Sequence, residues 1–199
     1  GKNAIVGEVN NTLVDLSHKL KDNDEVNILT TDNEKAVEVL RHSISHIMAQ
    51  AVKRLYKDAK LAIGPSIENG FYYDFDIEKP LTTEDLEKIE QEMNNIINEN
   101  LKFERMDVLR EEALKLMEEK NEPYKVELIN DLPEGEKISL YKQGDYVDLC
   151  RGPHIPSTKY VKAFKLTSVA GAYWRGNEKN NMLQRVYGVA FKNKTSLET

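Results

Sequence analysis

Val37-Glu-Val-Leu-Arg-His-Ser-Ile-Ser-His-Ile-Met-Ala-Gln-Ala-Val-Lys-Arg-Leu55 is the stretch on which the fold turns. Val37, Leu40, Ile44, Ile47, Ala51 and Leu55 recur at spacings of three and four, which predicts a helix over about residues 33–57. Thr31 and Asp32 are its candidate N-caps. At about 100° per residue with Leu40 at zero, Ile44, Ile47, Ala51 and Leu55 fall within about 60° of it. His42 and His46 come out at about 200° and 240°, side by side opposite that stripe. Their neighbours there are Ser45, Ala49 and Lys53, so this face is read as lying away from the core.

Outward from this helix the pattern alternates between strand and helix. Short strands are expected at 4–9, 12–16 and 25–30, too little chain to bury a core alone. Residues 61–63 and 71–75 read as strands separated by Gly64-Pro65 and Asn69-Gly70. Thr82, with Asp85 three residues on, predicts a capped helix to about residue 100. A strand over 103–108 and a helix over 110–120 follow, then short β-like segments at 125–128, 138–141, 146–149, 163–167 and 182–191. Helices inserted among strands with hairpin-type turns predict an α+β fold.

Composition narrows the class. The 199 residues are 40% hydrophobic, enough for a packed core. No apolar run approaches the roughly 18–20 residues that cross a bilayer, and residues 1–10 hold no signal-peptide core. The lone cysteine rules out an intramolecular disulfide and suits a reducing compartment; a soluble cytoplasmic protein is expected. The net charge of −6 is uneven: residues 151–194 hold nine basic side chains and one acid, Glu178. A basic quarter on an acidic body can face phosphates, the alternative being ordinary solvated lysines.

Three of the four histidines and the cysteine form two pairs, His42-Ser-Ile-Ser-His46 on the helix and Cys150-Arg-Gly-Pro-His154 in a loop, while His18 reads as a surface residue. Gly152-Pro153 forces a turn that can swing Cys150 and His154 into one site. Imidazole and thiolate are zinc's preferred ligands. Imidazoles near neutral pKa also serve hydrolysis without metal. Spacing and residue type allow both.

These residues carry a resemblance. His42–His46 is followed by Ile63-Gly-Pro, Gly70-Phe-Tyr-Tyr-Asp74, Tyr146-Val-Asp-Leu-Cys-Arg-Gly-Pro-His154, Ala170-Gly-Ala-Tyr-Trp-Arg-Gly176 and Met182-Leu-Gln-Arg-Val-Tyr-Gly188. In order and over essentially the whole chain, this resembles the amino-terminal part of bacterial-type threonyl-tRNA synthetases. The resemblance implies a partial TGS-like β segment over 1–31 and an editing domain of threonyl/alanyl type over 32–190. Residues 191–199 would begin a linker to a class II catalytic domain that the chain lacks. That domain would use ATP, Mg and Zn, and no aminoacylation is expected from these residues.

The implied activity is hydrolysis of serine misattached to tRNA(Thr). Serine lacks one methyl of threonine, worth about 1–3 kcal/mol in a pocket, so a second site must edit. The resemblance assigns His42, His46, Cys150 and His154 to that site, adds Lys125 and Asp148, and makes Tyr73 a pocket residue. Within it His42 is the first choice for activating water and Lys125 the competitor; Lys125 can also stabilise negative charge. Asp148 accepts from the serine ammonium or orients a neighbour, and Cys150 and His154 shape the site. Lys125 and Asp148 taken alone would read as a surface ion pair.

Zinc is not expected to be required, although His42, His46, Cys150 and His154 can hold it. Arg151, Lys159, Lys162 and Lys165 are expected to attract tRNA. Tyr173, Trp174 and Arg175 are expected at its unpaired end, core packing being the alternative for Tyr173 and Trp174. The full-length parent is expected to be a homodimer. The competing readings are a non-catalytic acceptor-end binding module and a zinc-stabilised structural domain; alanyl-type editing is disfavoured by the N-terminal β segment and the Met182–Gly188 motif.

Overall fold

The structure, a computed structural model, describes residues 3–193 and 195. Its helices are α1 (Glu34–Leu55), α2 (Thr83–Glu99), α3 (Arg110–Glu119) and α4 (Pro123–Asp131). Its strands are β1 (Ala4–Val9), β2 (Thr12–Val14), β3 (Val26–Thr30), β4 (Lys60–Leu61), β5 (Ser66–Ile67), β6 (Gly70–Asp76), β7 (Glu104–Val108), β8 (Ile138–Gln143), β9 (Tyr146–Leu149), β10 (Ala163–Tyr173) and β11 (Met182–Phe191). They make three antiparallel sheets, β2-β1-β3, β10-β11-β6-β4 with β5 also on β6, and β7-β8-β9. The architecture is α+β.

The central helix starts one residue later than the expected caps. Asn33, extended at φ −103°, accepts a hydrogen bond from Lys35 N at 2.9 Å and is the N-cap in place of Thr31 or Asp32. α2 has the expected capping box: Asp85 N donates to Thr82 Oγ1 and Thr82 N to Asp85 Oδ2.

α1 is covered on both faces. Leu40, Ile44, Ile47 and Ala51 are buried with Phe71, Phe75 and Ile89 in the main core, while Leu55 reaches solvent. The expectation of an outward histidine face is corrected, because Ser45, His46 and Ala49 are buried as well. The β7-β8-β9 sheet closes that side. Gln143 Nε2 donates to the His46 carbonyl at 3.2 Å, and Gln50 Nε2 donates to the Gln143 carbonyl at 3.1 Å. A helical wheel separates polar from apolar residues but does not say what packs on the polar side.

Residues 125–128 are the second correction: the expected β-like segment lies in α4. Pro123 begins that helix, where its fixed φ and missing N–H cost nothing, and the buried Lys125 and Ile129 sit four apart. Glu122 ties this start to the rest of the molecule by accepting from Lys53 Nζ and Leu61 N, both at 3.0 Å. β10 runs six residues past the expected 163–167 because β11 pairs with it throughout. The N-terminal sheet has no core of its own: Ile5, Val6 and Leu29 join the main one.

Candidate active site

α1 supplies His42, Ser43 and His46, the loop after β9 supplies Cys150 and His154, β9 supplies Tyr146 and Asp148, β6 supplies Tyr73, and α4 supplies Lys125. The tertiary fold brings both sequence pairs together. One ligand atom from each of His42, His46, Cys150 and His154 falls within 4.8 Å of the others.

Each imidazole is fixed by its Nδ1. That of His42 lies 3.0 Å from the Gly64 carbonyl, which can only accept, so Nδ1 carries the proton. That of His154 lies 2.9 Å from Ser43 Oγ. Ser43 donates its own hydrogen to the Val39 carbonyl, so His154 Nδ1 donates too. That of His46 lies 3.0 Å from Asp148 Oδ2, an ion-pair contact off the ideal hydrogen-bond direction, and the carboxylate favours a proton there. The Nε2 atoms of His42 and His154 then face Cys150 Sγ at 3.1 and 3.2 Å. The His154 ring is further held between those of His42 and Phe103, each with centroids 5.0 Å away.

Asp148 organises the other half. Its carboxylate is 1% exposed and accepts from Tyr73 Oη at 2.9 Å and Tyr146 Oη at 2.8 Å, while Lys125 Nζ lies 2.9 Å from Oδ1. Lys125 and Asp148 are thus buried beside the cluster, and not the surface ion pair that the two taken alone would suggest. A carboxylate so surrounded orients its neighbours.

Charge alternates along the cluster. Burial opposes the Asp148 carboxylate, but Lys125 and His46 hold it well below the usual range. Burial opposes the His46 imidazolium, yet Asp148 and Cys150 raise it to about 9. The Cys150 thiolate is likewise opposed by burial, but the charged His46 beside it favours it, and its pKa lies well below that of a free thiol. Burial instead lowers His154 to about 4, leaving it neutral. Burial and the Asp148 charge push Tyr73 and Tyr146 well above an ordinary phenol, so both remain donors.

The cluster therefore turns electron pairs inward, the Nε2 atoms of His42 and His154 and the sulfur of Cys150. Such a site takes a proton donor, a bound water or a cation.

Comparison with known proteins supplies the relationship. Residues 1–30 match the TGS domain, and residues 138–187 match the threonyl and alanyl tRNA synthetase second additional domain. This chain thus matches both domain families. It is 67% identical over 195 residues to the threonine–tRNA ligase of Acetivibrio thermocellus, covering 98% of this chain and 31% of that protein. The ligase of Caldanaerobacter subterraneus subsp. tengcongensis is 59% identical over 197 residues, and that of Clostridioides difficile 58% over 197, each across 99% of this chain and 31% of the relative. The chain spans about 31% of the length of the curated relatives it matches, and corresponds to their N-terminal region.

Several of the residues expected to take part in binding lie elsewhere than the cluster. Trp174 is buried at 6% exposure with Ala62, Tyr124 and Leu183, and its Nε1 donates to Glu127 at 3.1 Å. It takes the core-packing alternative, correcting the expectation of a stacking surface. Arg175 pairs with Glu127 and Asp131, and Tyr173 stays exposed. Arg151 pairs with Glu136. Lys159 and Lys162 line a groove of about 1260 Å³ with Lys102 and Arg105, part of whose wall is His154, while Lys165 lies on β10 away from it. His18 is exposed, as expected.

Ser43, Gly64 and Tyr146 were not singled out by sequence reasoning. Tyr146 left a signal, since two residues before Asp148 on a strand it must share that residue's face. Gly64 left none; a Cβ there would sit 2.2 Å from the Tyr73 ring. No helix among the described residues is long and apolar enough to cross a membrane.

Proposed function

We propose that this chain hydrolyses the ester joining serine to the terminal ribose of tRNA(Thr), the editing step of a threonine–tRNA ligase of which it is one part. The observation that carries the reading is the inward Nε2 of His42, fixed by the Gly64 carbonyl and belonging to the one half-buried imidazole of the three. That lone pair accepts the proton of the attacking water as the water oxygen bonds to the ester carbonyl carbon. The tetrahedral intermediate then collapses, the bond to the ribose oxygen breaks, and His42 returns the proton to that oxygen. Serine and tRNA with a free terminal hydroxyl result.

Asp148, kept ionised by Lys125, holds His46 charged together with Cys150, and these groups and His154 shape and polarise the site. Lys125, 3% exposed and engaged with Asp148, is the weaker choice for activating water. Lys159 and Lys162 attract the tRNA along the groove, with Tyr173 exposed for its unpaired end. The domain bounds that fit this reading are 1–31, 32–190 and 191–199; the last stretch lies largely outside the described residues. The longer protein is read as a cytoplasmic homodimer whose other part supplies ATP-dependent aminoacylation with Mg and Zn.

Side-by-side deacylation of Ser-tRNA(Thr) and Thr-tRNA(Thr) is the test. Serine should be released far faster, and His42→Ala should abolish release while tRNA binding persists. Equal rates on both esters, or full activity in His42→Ala, would overturn the proposal, and binding without hydrolysis in the unmodified chain would favour a non-catalytic module.

A metal-bound form is the second reading, favoured by the donor set. Three imidazoles and a thiolate suit zinc, and each Nδ1 already meets an outer acceptor, as ligating histidines require. His42, His46, Cys150 and His154 would hold the ion, which supplies Lewis acidity or structural closure. Activity that vanishes on chelation and returns with zinc would establish it.

A further inference from the structure

The loop bearing Cys150 and His154 is held from outside the editing-type domain. Asp15 directly follows β2, in the N-terminal sheet. Its Oδ1 accepts from the backbone N–H of His154 at 2.8 Å, and its Oδ2 accepts from Tyr141 Oη at 2.6 Å. Tyr141 in turn packs its ring edge on the His154 imidazole, with centroids 4.4 Å apart. Arg105 Nη1 donates to Tyr141 Oη at 3.2 Å and to the Arg151 carbonyl at 2.7 Å. Gly152, at φ +74°, lies directly against the same phenol, leaving no room for a Cβ.

We propose that Asp15 is a positioning residue for the hydrolysis: its carboxylate, carried by the N-terminal β unit, clamps the Cys150–His154 turn so that His154 Nε2 meets Cys150 Sγ. This rests on the hydrolytic reading above. The contact runs through a main-chain N–H, so it sets the height of the loop over α1 whatever the charge state of the rings. A main-chain hydrogen bond to a carboxylate is stronger than one to a neutral acceptor. A site displaced by about 1 Å loses about a hundredfold in rate.

The test compares the unmodified chain with Asp15→Ala, Asp15→Asn and, as a surface control in the same unit, Asp22→Ala. Asp15→Ala should lower kcat on Ser-tRNA(Thr) by about 10- to 100-fold with KM held within about twofold. Asp15→Asn keeps an acceptor for the His154 N–H but loses the charge and the acceptor for Tyr141 Oη, so its activity should fall between those of Asp15→Ala and the unmodified chain. Independently of activity, hydrogen exchange at the His154 amide should quicken by about tenfold or more in Asp15→Ala and not in Asp22→Ala. Unchanged exchange at His154 in Asp15→Ala would overturn the clamp. So would an Asp15→Asn variant no more active than Asp15→Ala. An unmodified chain that fails to hydrolyse, while Asp15→Ala still frees the His154 amide, would remove the hydrolytic reading and leave the clamp.

Discussion

Lys125 Nζ and Asp148 Oδ1 lie 2.9 Å apart with both side chains 4% exposed or less. One comes from a helix and the other from a strand 23 positions along the chain. Burying two charges is repaid only when they stay together, and deleting one partner leaves an uncompensated charge at about 3–5 kcal/mol. Lys125→Met and Asp148→Asn should each destabilise the protein on that scale in urea titrations. The double variant should fall well short of the sum; additive losses would contradict the pairing.

The raised value of His46 predicts a pH dependence of stability. Its folded pKa of about 9 exceeds the unfolded 6.5. Its contribution is therefore complete below about pH 6.5 and lost as pH rises through about 9. The Tm should fall across that window, and the His46-dependent part of the fall should be missing in His46→Gln. Asp148 acts with the opposite sign: its folded pKa is depressed, so its contribution holds above the ordinary aspartate range and is lost on acidification. Identical Tm–pH curves for the unmodified chain and His46→Gln would refute the charged state of His46.

Gly152 and Gly135 separate two costs. Both have positive φ, +74° and +81°, but a Cβ on Gly152 would meet Tyr141 Oη at 1.9 Å, whereas one on Gly135 meets nothing within 4 Å. Gly135→Ala should lose about 1 kcal/mol to backbone strain alone. Gly152→Ala should lose several kcal/mol by chemical denaturation and, with the Tyr141 contact pushed aside, the proposed hydrolysis as well. Equal losses would mean that the loop yields freely.

Trp174 and Tyr173 are adjacent and predicted to behave differently. Trp174→Ala should cost about 3–5 kcal/mol of stability, the range for deleting a buried aromatic side chain. Tyr173→Ala should leave the Tm nearly unchanged and weaken binding of the unpaired acceptor end. Thermal melts and filter binding of tRNA(Thr) give both readouts; the reverse pattern would restore Trp174 as a stacking surface.

Reversing Lys159 and Lys162 to glutamate should weaken tRNA binding and flatten its dependence on salt, because fewer counterions are then released. An unchanged slope of log affinity against log salt would exclude the groove as the tRNA path.

Much of this arrangement was legible in the chain. The period of 3.6 located α1, the Thr82–Asp85 spacing announced the capping box of α2, and the two four-residue His and Cys pairs named all four inner groups of the cluster. The strand reading of residues 125–128 failed for a local reason. Residues 125–128 are too few for period two to be told from period 3.6, and it is the ties of Glu122 to Lys53 and Leu61 that seat α4.

The sequence by itself determined which residues carry chemistry, because side-chain type and spacing along a helix or strand are local properties. Only the tertiary structure decided their states. The face of α1 bearing His46 is polar by composition, and became interior because β8 and β9 close over it. Lys125 and Asp148 look like surface charges until the fold removes their water. The direction of each imidazole is set by an acceptor, Gly64, Ser43 or Asp148, and the carboxylate that holds the His154 loop, Asp15, comes from another sheet. Ionisation and ring orientation depend on burial and on partners distant in sequence, which no local pattern encodes.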